Sequence, residues 1–208
     1  MADLIDPKEF GCDVNQLFPT NIIAFENKQP DAEKFNKAIA EYVLEQAKEN
    51  QDEQGRHSVG GQDSWHSEKN LHELDYWWSD NLESLIMTSV AAYGNGSVPK
   101  DFEIACWAVL LRKGGYSNYH THPNNIISGV YYVDVPEDIE IDKNRTIGGI
   151  IQFPDTRAGA CGTSHESATW GYKPQESSGL IFPSWVPHFV SPYMGESYRI
   201  SLSWNVVF

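Results

Sequence analysis

Apolar residues recur at helical spacing in the first half of the chain and at alternating spacing in the second. Pro30-Asp31 opens a helix in which Phe35, Ile39, Tyr42, Val43 and Gln46 follow at three- and four-residue intervals up to Asn50. A second helix is predicted with Ser79 as its N-cap; Leu82, Leu85, Ile86, Val90 and Tyr93 form its apolar stripe and Gly94-Asn95-Gly96 closes it. Residues 51–67 are polar and contain Gly55, Gly60 and Gly61, which predicts a long loop acting as a mobile lid or cavity rim and carrying His57 and His66.

After Pro99 the period shortens. Strand-like runs stand at 102–112, 126–133, 149–153, 179–182, 188–191 and 198–207, with a weaker one at 169–172, each bounded by Gly, Pro, Asn or Asp. Ile104 to Leu111 is apolar on both faces and predicts a central strand covered by helices. The pattern predicts one domain, residues 1–208, in which a mostly helical layer (1–100) supports a β-sandwich or jelly roll (101–208).

Composition narrows the function. The chain has 208 residues, 15 basic and 29 acidic, for a formal charge of −14. That argues against nucleic-acid backbones and anionic lipid as partners, since both demand a basic surface. The longest apolar run has 8 residues, too few to span a bilayer, and the acidic start predicts no signal peptide. Cys12, Cys106 and Cys161 form no CxxC pair and are odd in number, which fits a reducing cytoplasm and leaves metal binding to histidine and carboxylate.

Two features carry chemistry. His120-Thr121-His122 is read either as a polar turn or as an extended segment with two imidazoles on one face, and His188, 66 residues later, either as a strand-edge residue bonded to backbone or as a third donor. Imidazole suits Fe(II), Zn, Cu and Ni alike. The last strand alternates strictly, with Ile200, Leu202 and Trp204 on one face and Arg199, Ser201, Ser203 and Asn205 on the other. A strand ending Trp-Asn-Val-Val-Phe predicts burial, and a buried Arg199 requires an anion. Arg199 and Ser201 together suit an incoming carboxylate. The turn at 192–195 predicts a hairpin that brings this anion site to His188.

These residues also form an ordered set: HxH at 120–122, Ser128-Gly129-Val130-Tyr131-Tyr132-Val133, Gly179-Leu180-Ile181-Phe182-Pro183-Ser184-Trp185, His188 and Arg199-Ile200-Ser201. The set resembles the 2-oxoglutarate-dependent Fe(II) oxygenases, with their HxD/E, H and RxS pattern on a double-stranded β-helix. Within that superfamily it is similar to the bacterial and phage group with HxH, SGVYYV and FPSW signatures. The resemblance spans about residues 58–208. It implies a cupin-like jelly roll, an enzyme, Fe(II) and O₂, and 2-oxoglutarate as cosubstrate leaving as succinate and CO₂. Residue by residue, it implies His120 and His188 as iron ligands, Arg199 and Ser201 as partners of the distal carboxylate, and Tyr132 as a further cosubstrate contact. Of Tyr131 and Tyr132, one must pack in the core, since successive strand residues face opposite ways.

His122 stands where most of the superfamily has Asp or Glu. Either it is the third ligand, or Asp134 or Asp155 supplies a carboxylate. Asp155-Thr156-Arg157 resembles the group's Asp-Pro-Arg segment, a surface salt bridge being the other reading. Trp65, His66, Trp77, Trp78 and Trp185 are candidates for a cavity wall or for packing, and His57, His72 and His165 are read as surface residues. Two other functions use the same residues: a three-histidine zinc hydratase or hydrolase, and a non-catalytic module binding a small acid. The substrate, small molecule or peptide, and the oligomeric state do not follow from the sequence.

Overall fold

Eight residues of unbroken polar–apolar alternation, Arg199 to Val206, build the strand around which the fold is arranged. The computed structural model describes residues 6, 11, 18–49, 63–94, 96, 101–137, 139, 148–157 and 169–207. His57, His165, Cys12, Cys161 and residues 51–62 of the predicted lid lie outside the described residues.

Among the described residues two helices, α1 (Ala32–Glu49) and α2 (Trp77–Tyr93), accompany ten strands. The strands are β1 (Ile23–Glu26), β2 (Ser64–His66), β3 (Glu103–Leu111), β4 (Ser117–His120), β5 (Ile127–Asp134), β6 (Ile151–Pro154), β7 (Thr169–Tyr172), β8 (Ser178–Pro183), β9 (His188–Val190) and β10 (Arg199–Val207). A six-stranded sheet runs β1-β8-β5-β10-β3-β2 and a four-stranded sheet runs β4-β9-β6-β7, with antiparallel pairing throughout. Strands β3–β10 thus form two four-stranded sheets, a jelly roll.

One face of the large sheet is covered by the helices. Phe35, Ile39, Val43 and Ala47 of α1 and Leu82, Ile86 and Val90 of α2 meet Cys106, Ala108 and Leu110 of β3 and Ile200, Leu202, Trp204 and Val206 of β10. Each such large aliphatic side chain stabilises the fold by about 1.5–3 kcal/mol. Gly129 of β5 is required here, because a Cβ would lie 2.3 Å from the Trp204 ring. On the opposite face of β3, Trp107, Val109 and Leu111 look toward the small sheet rather than toward more helix. The apolar run at 104–111 is therefore covered by helices on one side and by strands on the other.

The N-terminal part is less purely helical than its sequence pattern. β1 and β2 extend the large sheet at its two edges, and Ser64 and Trp65, expected in a loop, are buried against β3. Helix α2 begins at Trp77, so Ser79 lies inside its first turn, buried, and is not the cap. The start is fixed instead by aromatic packing: Tyr76 stacks on Trp78 at 5.1 Å, and Tyr42 of α1 meets both rings at 5.2 and 5.4 Å. His72, expected at the surface, has a side chain only 9% exposed. Among the described residues no helix is long and apolar enough to cross a membrane.

Candidate metal centre

The three motif histidines reach one point from three different local structures. His120 is the last residue of β4 and lies opposite His188 of β9. His122 stands beyond the strand, so the HxH segment is not continuous β structure; its N–H donates to Ser184 O at 2.9 Å, at the end of β8. Asn124, with φ 67°, then turns the chain, and Asn125 Nδ2 donates to Pro123 O at 3.1 Å. The ring centroids lie 4.3 Å apart for His120 and His188, 5.0 Å for His120 and His122, and 5.1 Å for His122 and His188. One ring nitrogen from each comes within 4.8 Å of the others.

Burial keeps these rings neutral, as metal coordination requires. His188 is 4% exposed. Desolvation, with the neighbouring imidazole His120, pushes its pKa down to about 4. His122 is pushed down to about 3 by burial and then by His188, His120 and Lys69, and burial lowers His120 as well. Among the described residues no carboxylate joins the three. Asp134 ends β5, where burial raises its pKa, and Asp155 accepts hydrogen bonds from Arg157 N and Nε, both at 3.0 Å.

The same cavity, about 190 Å³, continues from the histidines to Tyr132, Arg199 and Ser201. Ser201 of β10 is opposite Tyr132 of β5, so the two share a face, and a register shift beside them aligns Ile200 with Asp134. Tyr131 points the other way and donates to Asn36 Oδ1 of α1 at 2.8 Å, taking the packing role. Arg199 is 2% exposed and its guanidinium lies over the Tyr132 ring, 5.0 Å from the centroid. Gly149, with φ +70°, lets the chain pass beside the Arg199 stem, where even a Cβ would lie 3.4 Å from Cδ. Burial pushes the Tyr132 phenol up to about 12 against the pull of the Arg199 charge. The guanidinium lies over the ring and also approaches the hydroxyl closely enough to draw its pKa down, although neither Tyr132 Oη nor Arg199 Nε has a partner of standard hydrogen-bond geometry among the described residues. No carboxylate among them pairs with Arg199.

Arg199 does not reach His188 through a hairpin. β9 belongs to the small sheet and β10 to the large one, so residues 192–195 carry the chain across the jelly roll, and the two groups meet as opposite walls. The wall includes residues given no role from sequence: Lys69, whose Nζ lies 5.3 Å from the Trp107 ring centroid, and Asn205, which is backed by Ser128 and Ser184 outside the lining. Strand parity was the available signal for Asn205, three alternate positions beyond Arg199. Of the candidate aromatic wall, only His66 lines this cavity, while Trp65 and Trp78 are core residues. Trp77 is exposed beneath Lys34, and Trp185 lines a separate surface cavity of about 1070 Å³ with Phe18, Trp170 and the Asp155–Arg157 pair.

The lining of the central cavity holds Lys69 and Arg199 and, among the described residues, no Asp or Glu, in a chain with 29 acidic residues. It is a cationic, three-imidazole cavity sized for a small anion, below the roughly 300–1,000 Å³ of pockets for drug-sized ligands. Residues 105–205 match the model of the family described as "Putative 2OG-Fe(II) oxygenase". No curated protein matches the chain by sequence. Among solved structures, a prolyl-4-hydroxylase from Pseudomonas putida superposes with a TM-score of 0.62 at 16% identity, over 90% of this chain and 92% of that one. The viral collagen prolyl hydroxylase from Paramecium Bursaria Chlorella virus-1, a 2OG complex, gives 0.58 at 11%, over 89% and 94%. HygX from Streptomyces hygroscopicus, with nickel and 2-oxoglutarate bound, gives 0.56 at 6%, over 90% and 83%. These likenesses show the fold, and residues 105–205 carry the match to the 2OG-Fe(II) oxygenase family, whose members are iron- and 2-oxoglutarate-dependent enzymes.

Proposed function

We propose that His120, His122 and His188 hold the Fe(II), that Arg199, Ser201 and Tyr132 seat 2-oxoglutarate, and that the reaction is a hydroxylation of a small-molecule or peptide substrate. The observation that carries this reading is the buried Arg199, without a carboxylate partner among the described residues, facing three neutral imidazoles across one small cavity. A buried guanidinium left unpaired costs several kcal/mol, and a dianionic five-carbon acid supplies what it lacks. The three imidazoles, of neutral charge at physiological pH, suit Fe(II) among other first-row metals.

Bound iron with 2-oxoglutarate supplies the oxygen chemistry, the cosubstrate leaving as succinate and CO₂ while one oxygen atom goes to the substrate. The chain's own residues do the rest. The Arg199 fork and the Ser201 hydroxyl grip the far carboxylate by charge-assisted hydrogen bonds. The Tyr132 hydroxyl, kept protonated by burial, is a donor awaiting an acceptor. Phe182, Ile151 and Val190 keep the wall between the two ends apolar and exclude water. Lys69 adds a second positive charge at the histidine end. A three-histidine zinc hydratase would use the same imidazoles but leaves Arg199 without an anion.

The hydroxylase reading draws support from the fold shared with the Pseudomonas putida prolyl-4-hydroxylase. We take residues 1–208 as one domain, since α1, α2, β1 and β2 all pack on or extend the large sheet. A reducing, cytoplasmic setting fits the odd cysteine count and the free, buried Cys106. The test is aerobic incubation with Fe(II) and 2-oxoglutarate, alone and with candidate substrates: succinate forms in step with an oxidised product, and a chelator abolishes both.

A further inference from the structure

A neutral imidazole carries its one proton on either ring nitrogen, and only the other nitrogen binds a metal. For two of the three histidines the backbone makes that choice. His120 Nδ1 lies 2.6 Å from Asn118 O and His188 Nδ1 lies 3.0 Å from Val186 O. A carbonyl only accepts, so both rings hold the proton on Nδ1 and keep the Nε2 lone pair free.

Among the described residues His122 Nδ1 has no such carbonyl. Its Nδ1 lies 3.3 Å from the Asn205 side-chain amide, whose other end is 2.7 Å from Ser128 Oγ, which in turn lies 2.8 Å from Ser184 Oγ. The backbone of Ser184 also accepts from His122 N, so one residue anchors both ends of this relay. With the Asn205 Nδ2 toward the ring, His122 Nδ1 accepts, the proton sits on Nε2, and no lone pair is left for a metal. The two ends of a terminal amide exchange by a half turn without change of shape, and serine hydroxyls rotate to suit. In the turned arrangement His122 Nδ1–H donates to Asn205 Oδ1, Asn205 Nδ2 donates to Ser128 Oγ, and Ser128 donates to Ser184 Oγ. Each of these buried groups keeps a partner, and Nε2 is free.

We propose that Asn205, backed by Ser128 and Ser184, is the positioning residue that fixes His122 as the Nδ1–H tautomer and thereby makes it a metal ligand. The proposal rests on the three-histidine reading above. A carboxylate ligand has no tautomers and needs no such partner; an imidazole in its place does. Metal-bound histidines nearly always donate their second ring N–H to an acceptor, and losing that acceptor weakens metal binding about 10- to 100-fold.

The test is Ni(II) affinity of the full-length, metal-free protein, measured by competition with a chromophoric chelator, for wild type, Asn205→Ala and Asn205→Asp. Asn205→Ala should bind about 10- to 100-fold more weakly. Asn205→Asp, which still accepts from Nδ1–H while Ser128 turns its hydroxyl to donate to the new carboxylate, should bind like wild type. In ¹⁵N-labelled, Zn(II)-loaded wild type, the imidazole spectrum should show His122 protonated on Nδ1. Wild-type affinity in Asn205→Ala, equal loss in both variants, or a His122 proton on Nε2 would overturn the proposal. His188→Ala separates the two levels: metal retained there sinks the three-histidine site itself, whereas metal lost there with Asn205→Ala unaffected sinks only the role of Asn205.

Discussion

His120 and His188 stand directly opposite one another in the β4–β9 register, their ring centroids 4.3 Å apart. Two imidazoles so close and so buried exclude a second proton from the site, with His122 adding a third ring at 5.0–5.1 Å. An ion with two positive charges is the partner that relieves this crowding of lone pairs.

The metal-free protein should lose stability in acid. His188 and His122 have folded pKa values of about 4 and about 3, below the ordinary 6.5, so the unfolded chain binds more protons between those limits. Their contribution is complete above pH 6.5 and declines as pH falls toward 4, by up to about 1.4 kcal/mol per pH unit for each ring. Denaturant titrations across this range should show the slope, and His188→Asn should flatten it. Identical profiles for the two proteins would contradict the assignment.

Arg199→Ala should weaken 2-oxoglutarate binding to the metal-loaded protein while leaving metal affinity nearly unchanged. A charge-assisted pair to a carboxylate contributes about 1.5–3 kcal/mol, hence roughly 10- to 150-fold. Calorimetry decides it, and unchanged affinity would make Arg199 structural.

Tyr132→Phe removes a buried hydroxyl that has no hydrogen-bond partner among the described residues. The free protein should melt close to wild type, because the ring stays under the Arg199 guanidinium and only the hydroxyl's weak interaction with it is lost. Cosubstrate affinity should fall roughly 2- to 12-fold, the value of one ordinary hydrogen bond. A lower melting point with unchanged affinity would assign the hydroxyl to the fold instead.

The strands after residue 101 were legible because their burial follows alternation: Ile200, Leu202 and Trp204 turn to the helices, and Arg199, Ser201 and Asn205 to the cavity. That parity also singled out the proposed anion site. β1 and β2 were not legible, since three or four residues at a sheet edge carry too short a pattern. The start of α2 was misread because Ser79 has cap chemistry, whereas the contacts that set the boundary come from Tyr42 on another helix. The crossing of the chain between sheets after β9 is invisible locally, because a turn between two strands reads the same whether or not they pair. The relay from His122 to Ser184 joins residues 83, 77 and 56 positions apart at its three steps, a relation that only the folded sheet creates.

The central claim is that metal and cosubstrate share one site built from the three histidines and Arg199. Its most direct test is an oxygen-free titration of the Fe(II)-loaded protein with 2-oxoglutarate, following the visible charge-transfer absorption of the chelated keto acid. The account predicts a saturable band that requires both iron and 2-oxoglutarate, disappears in His188→Ala and needs far more cosubstrate in Arg199→Ala. A protein that retains iron but develops no band, or that binds 2-oxoglutarate equally well without metal, would contradict it.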